Sequence, residues 1–122
     1  MDWLYSIEDV DGERTVRLDG DDPDWPSLSD DEVVEGIIAA WEATVQALET
    51  LPEDSKLDRP WCPACKQTND HCNSCVVWKR LGYICRHCSE LLVYLELEED
   101  GEYDLALPAA CKVLALAKSM RE

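Results

Sequence analysis

Apolar and polar residues alternate at the start of the chain, where Trp3, Tyr5 and Ile7 fall on one face of a strand that runs to Val10. Asp11-Gly12 suits the positive φ angles of a tight turn, and Glu13 to Leu18 supplies the returning strand of a hairpin. Asp19 to Ser27 holds Gly20, Pro23, Pro26 and four Asp, a composition that denies helix and strand regularity alike. It reads as a loop pinned by Trp25.

The period then changes from two to 3.6. Val33, Val34, Ile37, Ile38, Trp41, Val45, Leu48 and Leu51 form one stripe of an amphipathic helix, opposite Glu35, Glu42 and Glu49. Ser29 and Glu32 have the spacing of a capping box, Leu28 and Val33 that of a hydrophobic staple, and Pro52 ends the helix. The stripe is expected to pack into the chain's own core. Pro52 to Pro60 is a polar connector rich in turn formers.

Near the C-terminus, Leu91, Val93, Leu95 and Leu97 alternate toward Asp100-Gly101, and Tyr103, Leu105 and Leu107 alternate after it, which predicts a second hairpin. The Leu and Glu content of residues 90–99 is equally that of a helix. Pro108 suits a first helical position, with Ala109 to Met120 forming the last helix and Cys111 a small buried residue on it. The fold class that follows is α+β: β-hairpins, a long amphipathic helix, an insert between them and a C-terminal helix. With 122 residues and no internal repeat, one domain over residues 1–122 is expected. Its parts are a hairpin-plus-helix region over 1–58, an insert over 59–88 and a closing region over 89–122.

Charge sharpens this division. The chain has 27 acidic and 11 basic residues, a net charge of −16. Residues 1–58 hold 18 acids and 3 bases (−15), residues 59–88 hold 1 acid and 5 bases (+4), and residues 89–122 hold 8 acids and 3 bases (−5). The insert is a basic island in an acidic chain. Abundant Asp and Glu with few Lys also fits a halophilic protein, because salt screens the self-repulsion of such a surface. No apolar run is long enough to cross a bilayer, and Met1 to Tyr5 lacks the basic and apolar regions of an export signal. A cytoplasmic location is therefore expected, or a virion if the chain is viral, with the cysteines in a reducing compartment where they serve as metal ligands.

The insert carries the most specific chemistry. Three Cys-x-x-Cys pairs lie within 27 residues: Cys62 and Cys65, Cys72 and Cys75, Cys85 and Cys88. Thiolates are soft ligands for zinc, and two such pairs close a tetrahedral site. Cys62, Cys65, Cys85 and Cys88 are the first-choice ligand set. Trp61-Cys62-Pro63-Ala64-Cys65-Lys66 and Gly82-Tyr83-Ile84-Cys85-Arg86-His87-Cys88 resemble the two knuckles of a zinc ribbon over residues 61–88, although Lys66 and Ser89 stand where the simplest ribbon has Gly. Cys72 and Cys75 are an alternative pair. Joined with Cys85 and Cys88 they resemble a treble clef, with a hairpin over Val76 to Ile84 and a helix after Cys88; joined with His71 and His87 they would hold a second ion.

Three function classes compete. The leading one is a zinc-stabilised structural or protein-interaction component, its acidic surface suited to a basic partner or to a place in an assembly. The second is nucleic-acid binding, or regulation of nucleic-acid machinery, in which Lys66, Lys79, Arg80 and Arg86 meet phosphates while Trp61, Trp78 and Tyr83 stack on bases; an acidic charge mimic is a variant. A thiol-redox role for Cys72 and Cys75 is the third. No nucleophile motif or phosphate loop accompanies the two histidines, so no other enzyme is expected and no catalytic residue is assigned.

Overall fold

The computed structural model describes residues 3–60, 62–69, 75–82 and 87–121. Strands β1 (Tyr5–Val10) and β2 (Glu13–Leu18) form the expected antiparallel hairpin, in register from Tyr5 opposite Leu18 to Val10 opposite Glu13. Its turn places Asp11 at φ 50° and Gly12 at φ 79°, the left-handed pair that a two-residue hairpin loop requires. After a short 3-10 turn at Trp25–Ser27, helix α1 (Asp30–Glu49) begins with the full capping box: the Glu32 amide donates to Ser29 Oγ, and the Ser29 amide donates to the Glu32 carboxylate, both at 3.2 Å.

The polar connector contains a third strand, β3 (Lys56–Asp58), which pairs parallel with β2, Glu13 opposite Lys56 and Thr15 opposite Asp58. The sheet order is β1-β2-β3, so α1 is the crossover of a β-α-β unit. Three residues with a single apolar member give no periodic signal. Leu57 is nonetheless buried, and its amide donates to the Tyr103 hydroxyl at 3.1 Å.

Short helices α2 (Pro63–Thr68) and α3 (Val76–Leu81) follow. The treble-clef hairpin expected over Val76 to Ile84 is replaced, in its described part, by helix over residues 76–81 with Gly82 as its left-handed C-cap. The C-terminal hairpin is replaced by helix α4 (Ser89–Glu99) and helix α5 (Tyr103–Lys118). Asp100-Gly101 does not turn a hairpin here. It closes α4 in a Schellman motif, with the Glu102 amide donating to Leu97 O at 2.9 Å, the Gly101 amide to Glu98 O at 3.1 Å, and Gly101 at φ 73°. Pro108 lies inside α5, which starts five residues before it. The carbonyl it leaves without a helical donor is that of Asp104; both residues are on the exposed side of the helix, open to solvent. Cys111 is also exposed, against the expectation of burial.

Two apolar clusters meet at Trp41. One joins Val16 of β2, Ala43, Ala47 and Leu48 of α1, Leu57, Tyr94 of α4, and Ala109, Ala110 and Val113 of α5. The other joins the start of α1, through Val33, Val34, Ile37 and Ile38, to Ala64, Cys75, Val76 and Val77 of the cysteine segment and to Ala117 and Met120. The stripe of α1 therefore enters the chain's own core, as its period requires. No helix among the described residues is long and apolar enough to cross a membrane.

Candidate metal centre

Three of the described cysteines stand at the starts of helices. Cys62 caps α2, Cys75 caps α3 and Cys88 caps α4, each with extended backbone immediately before the helix. Cys65 sits one turn inside α2, and its amide donates to Cys62 O at 3.0 Å, so this pair is folded back as a tight knuckle. Free N–H groups and the positive end of a helix favour a thiolate at such places.

Cys62, Cys65 and Cys88 line one cavity of about 380 Å³ between α1, α4, α5 and the cysteine segment. Its other walls are mainly apolar, among them Ile37, Trp41, Leu81, Leu91 and Met120. Cys88 is buried; desolvation raises its thiol pKa, and the Glu90 carboxylate beside it at 3.6 Å adds to the rise. Cys75 is buried in the second apolar cluster. Cys72, Cys85 and His71 lie outside the described residues, and His87 is exposed. Among the described residues no group of three or more His, Cys, Asp or Glu is gathered closely enough to hold an ion. The donor chemistry fits zinc all the same: thiols are soft ligands, and the three cysteines line one mainly apolar cavity.

The hairpin reaches this region too. Burial pushes the Tyr5 hydroxyl pKa up, and proximity to Cys62 pushes it in the same direction.

The basic island is engaged with the chain's own groups. Lys79 pairs with Asp30 at 3.0 Å, and Arg80 pairs with Asp31 at 2.7 Å while donating to Met120 O at 2.8 Å. Both acids belong to the first turn of α1. Lys66 rests over the Trp25 ring, 4.8 Å from its centroid. Arg86, Trp61 and Tyr83 lie outside the described residues; Trp78 is exposed.

A cluster that sequence reasoning did not find borders the cavity. Arg59 stacks over Trp41 at 5.1 Å and Tyr94 at 4.9 Å, and its guanidinium donates two bonds to Glu98, at 2.5 and 3.2 Å. Tyr94 meets Trp41 edge-on with centroids 5.0 Å apart, and its hydroxyl also donates to Glu98 at 2.5 Å. Tyr94 and Glu98 have helical i, i+4 spacing, the signal that a helical reading of residues 90–99 makes available. Compared with protein-family models, characterised proteins and solved structures, the chain matches none.

Proposed function

We propose that this chain is a small acidic structural or protein-interaction component stabilised by zinc, with Cys62, Cys65, Cys85 and Cys88 as the ligand set. One observation carries the reading: Cys62 and Cys65 at the start of α2 and Cys88 at the start of α4, 23 residues further along the chain than Cys65, line the same cavity. A four-thiolate site leaves no open coordination position, so the ion would hold the fold together and not perform chemistry. Two further facts support a protein partner over a nucleic acid. Lys79 and Arg80 are paired with acids of α1 and Lys66 with Trp25, and the net charge of −16 repels a polyanion.

Native mass spectrometry of the purified chain, followed by thermal melts with and without a strong chelator, tests the reading. One zinc per chain is expected, lost in the Cys62→Ser/Cys65→Ser variant. Removing it should lower the melting midpoint by at least about 10 °C, the shift for a loss of roughly 2–3 kcal/mol in a domain of this size. Two ions would bring in Cys72 and Cys75. An unchanged midpoint after complete metal removal defeats the proposal.

A further inference from the structure

We infer that the outer face of α4 is a docking surface for a basic amphipathic helix of a partner protein; the inference rests on the interaction role proposed above. Helix α4 is apolar around most of its circumference, yet among its residues only Tyr94 is buried. Leu92 is 46 % exposed, Val93 53 % and Leu95 36 %. A helix that is apolar around most of its circumference normally lies inside a protein, so Leu92, Val93 and Leu95 stand where one partner surface is missing.

The geometry of the face selects the occupant. Leu92, Leu95, Glu96 and Glu99 recur at i, i+3, i+4 and i+7 on the side opposite Tyr94. The face is thus apolar in its first half and acidic in its second, continuing into exposed Asp100. Helix α4 contains no Lys or Arg, and among the described residues neither Glu96 nor Glu99 has an ion-pair partner. Leu95 also borders the cavity, which extends the apolar surface inward past Leu91. A second copy of the chain would bring the same unpaired acids against these and be repelled. A partner helix with an apolar stripe and flanking Lys or Arg complements both halves at once, the stripe on Leu92 and Leu95 and the cations on Glu96 and Glu99.

The test titrates the full chain with a labelled 18-residue peptide that has Leu at i, i+3, i+4 and i+7 and Lys elsewhere, and with a scramble of the same composition. The striped peptide is expected to bind at least about tenfold more tightly than the scramble, with amide shifts concentrated on residues 89–100. Leu92→Lys or Leu95→Lys should weaken binding by about tenfold, as loss of an apolar anchor does, while Val10→Lys on the exposed hairpin tip changes it less than about twofold. The shift mapping needs no variant and stands if a substitution fails to fold. Equal binding of both peptides, insensitive to Leu92→Lys, overturns the α4 surface but leaves a diffuse acidic interaction role intact. Failure of both peptides to bind at low salt overturns the surface and the interaction role together. A dimer of the unliganded chain that Leu92→Lys dissolves assigns the face to a second copy and overturns the basic partner.

Discussion

Arg14 is buried on β2, where its guanidinium makes two 2.8 Å bonds to the Asp9 carboxylate and donates to Ala47 O at 2.9 Å and Thr50 Oγ1 at 2.7 Å. A single side chain thus ties the hairpin to the last turn of α1, placing a cation where unpaired carbonyls and the negative helix end favour one. The Arg14 bonds hold the Asp9 carboxyl below its ordinary pKa. Because the folded value is depressed, the stabilisation is fully present above the ordinary carboxylate range and is lost as pH falls through the folded value. Asp9→Asn should therefore be less stable than the parent at neutral pH, and the difference should close as pH falls below the ordinary carboxylate range and through the depressed folded value. Thermal midpoints of the two proteins from pH 7 to pH 2 check this; a gap constant with pH would refute it. Nothing in the sequence marked Arg14, since an Arg on a short alternating strand reads as solvent-facing. Its burial follows from a contact with α1 that only the crossover topology creates.

Among elements, α1 was the most legible, because its cap, its stripe and its terminating proline agree. Gly36 on that helix was not. A Cβ there would lie 2.8 Å from the Trp3 ring, which itself packs against Trp25 with centroids 5.8 Å apart. The glycine makes room for an aromatic that fixes the start of the hairpin and the loop together. Gly36→Ala gains about 1 kcal/mol of helix propensity and incurs about 1–3 kcal/mol of overpacking, so a net destabilisation of about 1 kcal/mol is expected. Urea denaturation with near-ultraviolet circular dichroism reads both the loss and the displaced tryptophan; a stabilised variant would contradict the packing argument. Alternation misled the reading of residues 91–107, because leucines at every second position of a Leu- and Glu-rich segment satisfy both periods. Burial of Tyr94, the Schellman bonds and the Arg59 contact decide for helix. The cysteine pairs were legible as candidate ligands, whereas which of them line a common cavity depends on where α2 and α4 begin.

At the scale of the whole molecule, −16 charges on 122 residues oppose compaction, and several cations are already committed to local pairs such as Arg59 with Glu98 and Arg121 with Glu35. Screening should relieve more repulsion than it removes attraction, because the acids outnumber the bases. Raising KCl from about 0.05 M to about 1 M shortens the screening length to about 3 Å and is expected to raise the thermal midpoint. A flat or falling midpoint would show that specific pairs outweigh the net field. The parallel strand β3 has a separate consequence, set by reach. Cys62 is four residues beyond Asp58, and four residues of chain extend at most about 14 Å. While β3 stays zipped to β2, the first cysteine is on a leash no longer than that, even if α2 unwinds. Its sulfur would then meet the cavity at a local concentration fixed by the tether, independent of how dilute the protein is.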